Sequence, residues 1–207
     1  MDDKPRASYT RLAPDNRRAA LIEAALACIA EGGIAAFTVE QVCARAGVSR
    51  GLVTHHFGSM NALLGSVYDR IYATTVPALG DLPRHQPQIL SLLDHLFAES
   101  IFNRRSLNIW LTLWAEISNH PDLRSVHRIQ FRAYHRMVAT ALGEASPGLQ
   151  DADGLAQSLI CMIDGLGLQH CIDPDSMPPE VALQSCTDLL LHYIPELARP
   201  ATACASP

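Results

Sequence analysis

The chain has 207 residues, 48% of them hydrophobic and only 6% aromatic, which is enough to bury a core without a staple and excludes disordered and low-complexity classes. Its formal net charge of -5 is unevenly spread, because residues 1–60 hold seven basic side chains against six acidic and the remainder holds nine against fifteen. The start, MDDKPRASYTR, lacks the apolar stretch of a secretory signal, and no apolar run is expected to reach the roughly 18 to 20 residues that span a bilayer, so a cytoplasmic location with no membrane contact is expected.

In chain order, Leu21, Ile22, Ala25, Leu26 and Ile29 recur at three- and four-residue spacing and predict a helix over residues 15–31, with Asp15 as cap and Gly32-Gly33 as stop. Thr38 and Gln41 form a capping-box pattern that opens a short helix with Val39, Val42, Cys43 and Ala46 inward. Gly47 ends it where the turn needs a left-handed backbone. Ser49 is the expected cap of the next helix, which runs to about residue 57 and buries Leu52, Val53 and Phe57. Two short helices joined by a glycine turn make a helix-turn-helix. Ser59 then caps a longer helix striped by Leu63, Leu64, Val67, Tyr68 and Ile71, ending near Pro77. Helical periodicity returns over residues 88–103, 106–118, 121–143, 151–171 and 179–197, and residues 200–207 read as a disordered tail. The fold class is all-α with about nine helices. The chain is expected to divide at the end of the motif into residues 1–58 and 59–199.

The stretch from Thr38 to Phe57, followed by Gly58-Ser59-Met60-Asn61-Ala62-Leu63-Leu64, resembles the DNA-binding segment of TetR-family regulators in its Ala46-Gly47-Val48-Ser49 core, its His56-Phe57 ending and its Leu63. The resemblance covers about the first third of the chain and implies a repressor that binds a double-stranded operator. Carried by residues 38–64, it implies a DNA-binding unit for residues 1–58 and a ligand-binding and dimerisation body for residues 59–199. A short helix projecting from a three-helix unit can enter the major groove, where Arg50 would bond two acceptors of guanine, Gly51 would permit close approach and Thr54 would reach a base or thymine methyl. The resemblance implies phosphate or backbone contacts for Thr38, Ser49, His55 and His56, with Arg6, Arg11, Arg17 and Arg18 adding diffuse attraction. Cys43 replaces a usual Ala, His55 a usual aromatic, and Met60 a Lys that would meet phosphate.

In the body, Trp110-Leu-Thr-Leu-Trp114-Ala and Ile163-Asp-Gly-Leu166 resemble the choline-responsive BetI-like branch, although Gly167 stands where an aromatic is common. Trp110 and Trp114 share a helix face, so they either pack the core or wall a box for a quaternary ammonium with Asp164 as countercharge. That implies a small-molecule effector, choline or a relative. Leu155, Leu159, Met162, Ile163 and Leu166, with Val181, Cys186, Leu189, Leu190 and Tyr193, make the last two long helices more apolar than a free surface requires. A homodimer through them is the expectation the resemblance carries.

Two other classes compete: an effector-independent structural DNA-binding protein, and a helical metal-dependent enzyme. The first leaves the long acidic body without a use. The second finds no support in His120, His127 and His135, which spread around one helix, nor in six cysteines without a Cys-x-x-Cys pair. No cofactor, metal or catalytic residue is expected, and the cysteines read as reduced and mostly structural.

Overall fold

A computed structural model describes residues 14–198 and places them in nine α-helices, with no β-strand among the described residues. Arg6, Arg11, Cys204 and the tail 200–207 lie outside that range, as do the side chains of Pro14 and Asp15. The chain divides into two compact units, residues 1–67 and 68–207.

In the first unit, α1 (Pro14–Gly32) buries Leu21, Ala25 and Ile29 completely. α2 (Val39–Ala46) packs on it through Val42 and Cys43, and α3 (Gly51–Phe57) adds Val53. Arg45 grips Glu31 through both carboxylate oxygens, one at 2.8 Å, tying α2 to α1. The early turns of α4 (Met60–Thr75) bring the buried Leu63, Leu64 and Val67, which is why the packing division falls after the end of the motif at residue 58.

The second unit comprises the rest of α4, then α5 (Gln88–Leu96), α6 (Arg104–Asn119), α7 (Pro121–Ala145), α8 (Ala152–Ile172) and α9 (Pro179–Tyr193). Ile89, Leu92 and Leu93 from α5, Val138, Ala141 and Leu142 from α7, Leu159 and Ile160 from α8, and Cys186 and Leu190 from α9 form its core. The helix expected to run to residue 103 stops at Leu96. Asn103 then opens α6 by accepting the Ser106 amide at 3.0 Å, a local cap that restarts the chain in a new direction. α9 ends at Tyr193 because Ile194 precedes Pro195 and leaves the helical conformation, with residues 195–198 forming a 3-10 turn.

Two expectations need correction. By length and composition, residues 16–36 and 152–172 are apolar enough to cross a membrane, although one side of each helix lies in a core, with Leu21 and Ile29 in one and Leu155 and Leu159 in the other. The apolar surplus of α8 and α9 also divides in two. Leu155, Leu159, Cys186 and Leu190 are buried within the chain itself, and Met162, Ile163, Leu166 and Leu189 pack against the same core. What stays exposed is Leu168 (40%), Ile172 (68%), Val181 (46%) and Tyr193 (54%).

Candidate functional site

The helix-turn-helix is built by local chemistry. Thr38 accepts the Gln41 amide at 3.2 Å and starts α2, and Gly47, at φ 65°, sends its amide back to Ala44 O at 3.3 Å. A side chain at that left-handed position would be strained. Ser49 does not cap α3 as expected. Arg50 already has helical geometry there, and the turn closes through backbone bonds, Leu52 N to Ser49 O at 3.1 Å and Val53 N to Arg50 O at 3.3 Å. Gly58, at φ 77°, ends α3, and Ser59 accepts the Ala62 amide at 3.1 Å to begin α4.

Arg50, Gly51, Thr54 and His55 are exposed, His56 is half-buried beside Phe57, and Thr38 is half-buried at its cap. Arg50 rests 3.2 Å from Glu40, both strongly exposed. Such a pair contributes at most about 1 kcal/mol, so the guanidinium is easily released to another acceptor. Arg18 behaves differently from expectation. Its guanidinium sits 4.9 Å over the Phe57 ring and donates to Ser66 Oγ at 3.1 Å, so it holds α1 against the end of α3 and the start of α4.

In the second unit, one cavity of about 100 Å³ is walled by every long helix except α9. α4 supplies Tyr68, Tyr72 and Thr75, with Val76 just past its end, α6 supplies Leu107, Trp110 and Trp114, α7 supplies His127, Phe131 and Tyr134, and α8 supplies Ile160, Ile163, Asp164 and Gly167. The three residues singled out in the body, Trp110, Trp114 and Asp164, therefore face one space. Trp110 lies 5.8 Å from Trp114, and meets Tyr68 edge-on at 5.7 Å and Tyr72 at 6.4 Å, which presents several π surfaces toward a small volume.

Asp164 has no ion pair or hydrogen bond among the described residues, and burial pushes its carboxyl up to about 6. Burial lowers the pKa of His127, and its Nδ1 pairs with the Tyr68 hydroxyl at 2.9 Å. Tyr72 donates to Gln130 O at 2.9 Å. No Lys or Arg lines the cavity, so its one formal charge is negative. A Cβ on Gly167 would come within 3.1 Å of Leu107, so the missing aromatic leaves room that Leu107 already takes up.

Sequence reasoning missed Tyr68, Tyr72, His127, Phe131 and Tyr134 as lining residues. Tyr68 reads in the sequence as part of a buried stripe, and His127, Phe131 and Tyr134, four and three residues apart, share a face of α7 whose spacing could have marked them. The five described cysteines are free, with Cys28, Cys43 and Cys186 buried and Cys161 exposed. Among the described residues no three His, Cys, Asp or Glu side chains gather as a metal site.

Residues 21–67 match the family described as bacterial regulatory proteins, tetR family, and residues 85–195 match the BetI-type transcriptional repressor C-terminal family. The HTH-type transcriptional regulator BetI of Burkholderia mallei is 28% identical over 191 residues, covering 89% of this chain and 94% of that protein. HTH-type transcriptional regulator BetI 1 of Chromohalobacter salexigens is 30% identical over 179 residues, covering 83% and 87%. Among solved structures, a protein of Saccharomonospora viridis in complex with choline shares the fold at a TM-score of 0.74, with 22% identity over 87% of this chain and 98% of that one.

Proposed function

The chain belongs to the TetR family of bacterial transcriptional regulators, with a BetI-type C-terminal body, and on that premise we propose that it is a repressor released from its operator by choline or a related quaternary amine. The observation that carries the effector class is Asp164, a partly buried carboxylate with no cationic partner, facing a cavity walled by Tyr68, Tyr72, Trp110 and Trp114. A weakly hydrated cation satisfies that carboxylate and gains about 0.5 to 2 kcal/mol from the desolvated aromatic faces. The choline bound to the S. viridis neighbour supports the same chemistry.

DNA recognition is assigned to α3 and its flanks. Arg50, Gly51 and Thr54 would meet base edges, and Thr38, Ser49, His55 and His56 would meet the backbone, with a cytoplasmic place of action following from the DNA partner. The DNA-binding unit extends over residues 1–58 and the effector and dimerisation body over 59–199. α4 is the natural lever, since Tyr68 and Tyr72 line the cavity from the same helix whose first turn follows α3. The effector must bind more tightly to the arrangement that fits DNA badly, because equal affinity for both shifts nothing. The dimer seam is assigned to the outer stripe of α8, Cys161, Gly165, Leu168 and Ile172, with Val181 of α9, around a two-fold axis.

The chain holds two tryptophans and both line the cavity, so its intrinsic indole fluorescence reports on the cavity. Choline should change it saturably, while the neutral isostere 3,3-dimethyl-1-butanol should not. No response to choline, or equal responses to both, removes the cation assignment.

A further inference from the structure

One charged surface of the body belongs to neither the cavity nor the reading head. α7 carries Arg124, Arg128, Arg132 and Arg136 at successive four-residue steps, all exposed, and none of them has an ion-pair partner among the described residues. No Asp or Glu occurs from residue 123 to residue 143, whereas the chain beyond residue 60 has fifteen acidic side chains against nine basic. Nearly half of that segment's positive charge is thus gathered on one stripe of an acidic body.

Packing does not require it. The buried side of α7 is made by Leu123, Tyr134, Val138, Ala141 and Leu142, and like charges one turn apart weaken a helix. The stripe is a cost to the fold that a partner would offset.

We propose that the stripe is a second, sequence-independent contact of this regulator for duplex DNA, with its guanidinium groups on backbone phosphates. Four steps of an α-helix separate successive arginines by about 6 Å and the outer two by about 18 Å. Duplex DNA offers one negative charge per about 1.7 Å of axis, so the stripe faces a dense row of phosphates. All four positions are arginine, whose planar fork matches a phosphate with two parallel hydrogen bonds. A member of a DNA-binding family meets duplex DNA as its standing polyanion, and contacts of this kind add affinity and register without reading bases. The proposal does not depend on which residues of α3 read the operator.

The test uses the full chain and a mixed-sequence duplex several turns long, with binding followed by fluorescence anisotropy between about 50 and 200 mM salt. In the variant Arg128→Gln, Arg132→Gln, Arg136→Gln, the slope of log affinity on log salt should become shallower by about 0.9 for each phosphate that the protein no longer neutralises. Arg132→Gln alone should show part of that change. A charge-matched variant, Arg84→Gln, Arg104→Gln, Arg105→Gln, should stay near the wild type. Thermal unfolding of the stripe variant should be unchanged or raised, because repulsion has been removed. A stripe variant whose slope equals that of the wild type or of the charge-matched variant overturns the proposal, while the change in sequence preference caused by Arg50→Ala reports on α3 separately.

Discussion

Asp164→Asn is the most informative single substitution, because it should stabilise the empty protein and abolish its response to a cation. Raising a carboxyl from its ordinary 3.8 to about 6 corresponds to about 3 kcal/mol of stability withheld at neutral pH. The sign follows from the protonated form being favoured in the folded state: the penalty is absent below pH 4, grows as pH rises, and is complete above 6. Asparagine removes the charge at all pH values. It should therefore raise the melting temperature at pH 7 by up to about 10 °C for a chain of this size, with the gap to the wild type closing as pH falls through 6. Differential scanning calorimetry at pH 7 and pH 5, paired with a choline titration of each protein, measures both halves. An Asn variant that melts at or below the wild type at both pH values, and still binds choline, would refute the reasoning, since the carboxylate would then have a partner that the cavity does not offer.

Wild-type affinity for choline should fall on the order of tenfold from pH 7 to pH 5 as Asp164 takes a proton; calorimetric titration at the two pH values checks it. Trp110→Ala should weaken choline binding by about 0.5 to 2 kcal/mol while leaving the fold, because the ring is only half-buried; titration through Trp114 fluorescence measures the loss. Leu168→Glu should yield a folded monomer by sedimentation, whereas Leu159→Glu, at a position with no exposure, should yield unfolded or insoluble protein. Arg50→Ala should cost about 1 to 3 kcal/mol at a cognate duplex and relax preference at one base position, read by competition binding.

The helix-turn-helix was legible because its signals are local. Thr38, Gly47, Gly58 and Ser59 each fix a helix end through their own backbone or a neighbour three residues away. The exception, Ser49, shows the limit: whether a serine caps depends on where the next residue's backbone already points, and Arg50 is helical. The cavity was only half legible. Trp110, Trp114 and Asp164 stood out as an indole pair and an acid on an apolar helix, but Tyr68 and His127 are 59 residues apart and meet only after α4 and α7 pack. Which side of α8 packs inside the chain was hidden for a related reason. Leu159 and Leu168 both lie on α8 and are equally apolar, and only packing separates the one buried in the chain from the one left outside. The arginine spacing of α7 was in plain view, but a run of like charges on a helix reads as a solvated face until the absence of acidic partners is known.

The central claim is that one chain couples recognition of a specific duplex to a small cation in the body, and selection from a random duplex library tests it directly. Protein immobilised without ligand is allowed to enrich duplexes, and the bound pool is then eluted with choline or with 3,3-dimethyl-1-butanol at equal concentration. The account predicts enrichment of a pseudo-palindromic site, selective elution by choline, and loss of that elution in Asp164→Asn. No enrichment over scrambled sequence, or elution that ignores the charge of the eluent, would contradict it.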